Sequence, residues 1–213
     1  MTVYQNLIGV LRWLCELGRI DIVYEVSVLS QYLAQPRIGH LQQCLNIFYY
    51  IKNRADRSWL PLDPTGLDVN WIPRKQGDLP PQERALAMKE LYPDACDELP
   101  PNMPEPRGLS VDINVFVDAD HAGNTVTRRS HTGIILMCNM APVSWFSKRQ
   151  NTIEASTFGS EFIALRIATE QIESLRYKLR MFGVPLPNPA NVYCDNESVV
   201  NSSTFPESRL KKK

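Results

Sequence analysis

VDINVFVDAD, residues 111–120, is the stretch on which the reading turns. Ile113, Val115 and Val117 alternate along the run and all three are β-branched, so a half-buried strand is predicted. It ends in two acids, Asp118 and Asp120. Downstream, HTGIILMCN (131–139) and APVSWFS (141–147) are two more strand-like segments, separated by Asn139–Met140. A hairpin or meander is expected there. Ser156 or Thr157 then opens a long helix. Its apolar stripe reads as Phe158, Phe162, Leu165, Ile172, Leu175, Leu179 and Phe182, and it stops at Gly183 and Pro185. ANVYCDN (190–196) supplies a fourth strand and ESVVNSS (197–203) begins another helix. Strand, strand, strand, helix, strand, helix is an α/β order. Val115, Val117, Ile135, Met137, Phe162, Leu165, Ile172 and Leu175 are expected between the sheet and the long helix.

Upstream, charge and proline mark the boundaries. Ten of the 16 prolines fall within residues 53–109, together with ten acidic and seven basic residues. PLDPTG (61–66), DLPPQE (78–83) and DELPPNMPEPRG (97–108) cannot continue helices or central strands through their prolines, so this third reads as an acidic connector. Within it, PQERALAMKEL (81–91) predicts a short helix: proline suits a first turn and good helix formers follow. Residues 1–52 predict three short helices. Leu7, Leu11, Leu14 and Leu17/Gly18 share the first face; Ile22, Val26, Leu29 and Leu33 the second; His40, Cys44, Ile47 and Tyr50/Ile51 the third. The organisation expected is 1–52, 53–109 and 110–213.

Composition excludes several classes. An apolar share of 44% is too high for a wholly disordered chain. No apolar run is long enough to span a bilayer and MTVYQNLIGVLRW lacks the flanks of a signal peptide, so an intracellular protein with no membrane partner is expected. With 23 basic and 23 acidic residues, bulk charge does not drive nucleic-acid binding. Cys15, Cys44, Cys96, Cys138 and Cys194 are dispersed, with no CxxC pair or histidine cluster nearby. They read as buried free thiols, neither a disulfide framework nor a zinc site.

Chemistry points to three acids. Asp118 closes the first strand, Asp195 closes the fourth, and Glu161 lies one turn into the long helix. Ligands in α/β sheets bind at the carboxyl ends of strands. If the first and fourth strands are neighbours, Asp118 and Asp195 lie side by side and Glu161 can come over them. Such a cluster is protonated or neutralised by a cation, and hard oxygen donors suit Mg²⁺. Spacing alone leaves open that each acid is simply solvated. Lys148 and Arg149 after Trp145–Phe146, and Arg128–Arg129 before a strand, could grip phosphates beside stacking aromatics, or could equally be solvated charges. Ser156, Thr157 and Asn196 are counted with them as candidate substrate contacts. His121 and, less directly, His131 are candidate proton carriers.

Five segments in order, VDADHAGN (117–124), RRSHTG (128–133), PVSWFSKRQ (142–150), STFGSEFIALRIA (156–168) and CDNESVV (194–200), resemble the ribonuclease H domain of copia-type LTR retrotransposon Pol polyproteins. YQNLIGVLRW, RIDI, SVLS, the Pro36–His40 spacing and YYIK resemble the segment joining reverse transcriptase to ribonuclease H. The resemblance implies a ribonuclease H-like mixed sheet with flanking helices, preceded by a small helical segment. It makes Asp118, Glu161 and Asp195 catalytic carboxylates holding Mg²⁺, or Mn²⁺, with Asp120 a satellite. The implied activity is metal-dependent endonucleolytic cleavage of the RNA strand of an RNA–DNA hybrid, recognised by shape and 2′-hydroxyls. A non-catalytic remnant that at most binds nucleic acid, and a nuclease acting on DNA, are the rival expectations. Two departures from the family pattern stand out: Glu197 follows CDN where glutamine is common, and the fourth acid is expected beyond RLKKK (209–213). Polymerase and C-terminal elements are expected from the parent polyprotein, in the cytoplasm (virus-like particle) or nucleus.

Overall fold

Tyr4, Ile8, Leu11 and Cys15 recur at helical spacing and bury one side of α1 (Thr2–Glu16). The computed structural model describes residues 2–54, 81–97 and 99–204. A 3₁₀ turn (Ile20–Ile22) leads into α2 (Val23–Ser30), and α3 (Ile38–Asn53) follows. Ile22, Val26, Leu29, Cys44 and Ile47 close a first core with α1. Tyr4 ties the helices further: its hydroxyl donates to Leu29 O at 2.8 Å. The buried stripe of α1 is thus rotated from the expected Leu7–Leu11–Leu14–Leu17 face. Leu7 and Leu14 flank the core, and Leu17 is exposed because the helix ends at Glu16 and the chain turns at Gly18, φ +118°. The turn needs a residue without Cβ strain.

The predicted connector helix is α4 (Pro81–Leu91), with the expected bounds. The rest of the connector's first half, residues 55–80, and the C-terminal RLKKK lie outside the described residues. The connector's end grips the long helix: Asp97 accepts from Arg176 at 2.6 Å and from Arg180. Burial would raise the Asp97 carboxyl, but the hydrogen bonds and charges of those two guanidinium groups hold it below its ordinary value.

β1 (Ile113–Asp120), β2 (His131–Cys138), β3 (Ala141–Arg149) and β4 (Asn191–Cys194) form one sheet in the order β3-β2-β1-β4. β1–β2 and β2–β3 are antiparallel, with β1 and β4 parallel, so the sheet is mixed. The β2–β3 hairpin turns at Asn139–Met140 as predicted, with Asn139 at φ +54°. Asn139 also braces the start of β1: its Oδ1 accepts from Asp112 N at 2.9 Å, and its own N donates to Asp112 O at 2.8 Å. α5 (Thr157–Met181) crosses one face, and α6 (Glu197–Thr204) follows β4. Ser156 caps α5 by accepting from Gly159 N, and Gly183, φ +72°, ends it.

The second core sits between the sheet and α5: Ile113, Val115, Val117, Ala119, Ile134, Leu136, Ala164, Ala168 and Ile172. Val115, Val117 and Ile172 are where the pattern put them. β2 is shifted by one residue: Ile134 and Leu136 face α5, while Ile135 and Met137 lie on the other face, half-buried. The register requires it, since Val117 pairs with Ile134 and Val115 with Leu136. Apolar residues on both faces of GIILM made the alternation unreadable from sequence. The opposite face is covered by the N-terminal helices, where Trp145 Nε1 donates to Cys15 O at 2.9 Å and α2 packs on β3. On α5, Leu165 and Leu175 are half-buried, whereas Phe162 is 36% exposed, stacked on Phe158, and Phe182 is exposed. The helix meets the sheet through small Ala164 and Ala168, which bring the backbones close and turn Phe162 outward.

Leu136→Ala should therefore cost about 2–5 kcal/mol, as deletions in a packed core do. Phe162→Ala should cost well under half of that, because its ring is already partly in water. Urea unfolding followed by circular dichroism gives both; equal losses would mean that α5 presents the other face to the sheet.

Candidate metal centre

The β1–β4 register fixes the first two acids. Val117 pairs with Cys194, so the next residues on each parallel strand are Asp118 and Asp195. Asp118 lies within β1 rather than at its end, because the strand runs on to Asp120, paired with His131. Glu161 precedes Ala164 by one helical turn and so enters the same end of the sheet. Its side chain is only 6% exposed, and its buried Oε2 has no hydrogen-bond partner. One oxygen each of Glu161 and Asp195 and the Sγ of Cys194 lie within 4.8 Å of one another. Asp118 is exposed and its Oδ1 accepts from Ala119 N at 2.8 Å. Burial first, then the negative charge of Asp118, push the Glu161 carboxyl up to about 7; Asp195 adds to the rise and a hydrogen bond from Ala119 opposes it. The three acids singled out in the sequence are thus electrostatically coupled.

Residues not singled out hold Glu161 in place. Ser160 is fully buried, donates to Thr157 O at 2.9 Å and meets His121 Nδ1 at 3.2 Å. Gln150, also buried, donates through Nε2 to Ser160 O at 2.9 Å and to Thr132 Oγ1 at 3.0 Å. It thereby ties the end of β3 to the first turn of α5. Ser130 Oγ accepts from Ala122 N, fixing the loop after β1, where Ala122 has φ +53°. Among these, Gln150 alone carried a sequence signal, as a polar residue directly after a strand-like run.

The remaining candidates separate. Asp120 accepts from the Tyr24 hydroxyl at 2.9 Å and packs on Gly123, where a Cβ would lie 1.7 Å from Asp120 Oδ2. It belongs to a seam with the N-terminal helices. His131 is in the same seam, buried, edge-on to Tyr24 and 3.0 Å from Gln31 Nε2. Burial lowers its pKa, with Asp120 opposing and Arg149 adding to the drop. Arg149 donates to Gln31 Oε1 at 2.7 Å and so is engaged away from the acids. Arg128 and Lys148 are exposed and Arg129 half-buried. Ser156 caps α5, Thr157 is its first residue, and Asn196 caps α6 by accepting from Val199 N at 3.2 Å. His121, through Ser160, is the histidine tied to the neighbour of Glu161. All five cysteines are free, yet Cys96 is exposed and Cys138 and Cys194 half-buried, so only Cys15 and Cys44 match the buried-thiol expectation.

The raised Glu161 pKa has a definite sign. With a folded value above 4.5, the folded chain binds more protons than the unfolded one between 4.5 and about 7. In metal-free protein this group's contribution to stability is therefore full below 4.5 and falls as pH rises toward about 7. Glu161→Gln should flatten that part of the stability profile, measured as urea midpoints across the interval. An unchanged slope would place the carboxyl in solvent.

No family model matches the chain, and no solved structure matches it. It is 23% identical over 195 residues to the retrovirus-related Pol polyprotein from transposon RE2 of Arabidopsis thaliana, and 24% over 195 residues to that from transposon RE1 of the same plant. Each alignment covers 92% of this chain and 10% of the polyprotein, so the chain spans about a tenth of the length of these relatives. Against the retrovirus-related Pol polyprotein from transposon TNT 1-94 of Nicotiana tabacum, identity is 32% over 88 residues, 41% of this chain and 7% of that protein. No described helix is long and apolar enough to cross a membrane. Sequence likeness running almost end to end, on an α/β fold with a mixed sheet, means that the chain belongs with the Pol polyproteins of copia-type retrotransposons.

Proposed function

We propose that the chain is a ribonuclease H-type hydrolase that cleaves the RNA strand of RNA–DNA hybrids with Mg²⁺. The observation that carries this reading is Glu161: a buried carboxylate with an unpartnered Oε2, facing Asp118 and Asp195 from a third element. Burying such a group beside like charges is unfavourable unless a cation or a proton compensates. Carboxylate oxygens are the donors that magnesium accepts, so the set fits the ion, and Asp118, Glu161 and Asp195 would hold it. Bound there, magnesium supplies charge stabilisation at the reacting phosphate and lowers the pKa of water.

The chain's own residues supply position. Glu161 is immobilised by the packing of Ala164 and Ala168 on β1 and β2, and by Gln150 and Ser160 at the start of α5. Asp118 and Asp195 stay exposed at the sheet end, open to a bulky nucleic acid. Exposed Arg128 and Lys148 are available to backbone phosphates, whereas Arg149 is committed to Gln31. A hybrid would be read by groove shape and 2′-hydroxyls. Likeness to retrovirus-related Pol polyproteins supports such a substrate.

The test is a labelled RNA–DNA hybrid with Mg²⁺, Mn²⁺ or EDTA, run beside duplex DNA. The RNA strand should be cut, DNA spared, and EDTA should stop the reaction. Mn²⁺ should give the faster cleavage, because it binds a given oxygen site more tightly than Mg²⁺. Asp118→Asn keeps the side-chain shape and removes the charge, so it should abolish cleavage with an unchanged unfolding midpoint. Cleavage by that variant at the parent rate would sink the mechanism. No cleavage by the parent with either metal would favour a non-catalytic remnant, and cutting of duplex DNA instead would favour a DNA nuclease.

A further inference from the structure

Cys194 is the last residue of β4, and the magnesium reading gives it no task. Its Sγ nevertheless lies within 4.8 Å of a carboxylate oxygen of Glu161 and of Asp195, which themselves lie within that distance of each other. Glu161 is more than nine-tenths buried, and its Oε2 has no hydrogen-bond partner. We propose that Glu161, Cys194 and Asp195 form a mixed sulfur–oxygen site that takes a thiophilic divalent cation, zinc or cadmium, in preference to magnesium.

The chemistry of the donor set argues for this. Thiolate ligands select soft or borderline cations, whereas magnesium keeps oxygen ligands and water. Zinc accepts sulfur at about 2.3 Å and carboxylate oxygen at about 2.0–2.2 Å in a tetrahedron, so its donors stand roughly 3.5 Å apart. A contraction of about 1 Å, within reach of side-chain rotation, closes the group on an ion. Three protein donors leave one tetrahedral position for water, and the Sγ proton is released to solvent as the metal–sulfur bond forms. The dispersed cysteines gave no sign of zinc because the partners of Cys194 come from the next residue and from a helix 33 positions upstream. A cation so held occupies two of the three acids assigned to magnesium, which makes zinc an antagonist of the proposed hydrolysis. The inference rests on the same convergence of carboxylates as that function, not on the cleavage reaction.

The experiment is a cadmium titration of the metal-free chain carrying Cys96→Ser, which removes the exposed thiol. It is read by the ultraviolet thiolate-to-cadmium absorption band. One equivalent should bind, zinc should displace it, and excess magnesium should not. Adding Cys194→Ser should remove the band, and Glu161→Gln should weaken cadmium binding at least tenfold, with circular dichroism showing that both variants fold. Cys194→Ala serves in place of serine if the latter unfolds. A band that survives loss of Cys194, or the lack of any band in the parent, overturns the site. A band that behaves as expected in protein that fails to cut hybrid supports the site and counts only against the hydrolase. Magnesium-dependent cutting with no cadmium band counts only against the site.

Discussion

A carboxylate buried beside two others is unfavourable in metal-free protein, and this chain holds one there by contacts remote from the charges. The parallel pairing of β1 with β4 sets Asp118 next to Asp195. The approach of α5 is set by Ala164 and Ala168, whose side chains are too small to keep the helix off the sheet. With strand register and helix distance both fixed, Glu161 is held almost wholly out of water, 6% exposed. Burial first, and then the negative charges of Asp118 and Asp195, push its carboxyl up to about 7. The proton or cation that neutralises it is therefore linked to stability.

The polar ring around Glu161 has the same logic. Gln150 spans from β2 to α5, and Ser160 hands its hydroxyl to the helix and its carbonyl to Gln150. Buried polar groups of this kind are worth little when satisfied and cost much when orphaned, so they define one arrangement rather than adding bulk stability. They lock the first turn of α5, the segment in which a shift of an ångström would separate the acids.

The succession of strands and helices, the hairpin position and the connector helix were legible because each depends on a local pattern; for the acids the structure gives the proximity of Glu161 to Asp195 and the coupling of Asp118 and Asp195 to Glu161. Asn139–Met140 between two apolar runs, PQERALAMKEL after prolines, and acids at strand ends are read without knowing what packs on what. Facing was legible only where the pattern was one-sided. β1 has polar Asn114, Asp118 and Asp120 alternating with apolar residues, and its face toward α5 was found. β2 is apolar on both faces because α5 covers one and the N-terminal helices reach the other, so its phase was set by pairing alone. The same holds on α5, where alanines outrank phenylalanines at the interface: hydrophobicity points to Phe162, close approach selects Ala164 and Ala168.

Long-range polar contacts were the part hidden from the sequence, and they also explain how neighbouring candidates divide. Asp118 and Asp120 are two residues apart on one strand and so share a face, yet they meet different environments. Tyr24 from α2 and the bare backbone of Gly123 capture Asp120, and Gln31 captures Arg149 and His131 around it. One step nearer the β4 pairing, Asp118 escapes that seam and faces Glu161 instead. The helices before the connector thus act on the acid cluster by subtraction. They bind the polar residues Asp120, His131 and Arg149 of the strand ends, while Asp118, Glu161, Asp195 and Cys194 stay grouped at the β1–β4 end.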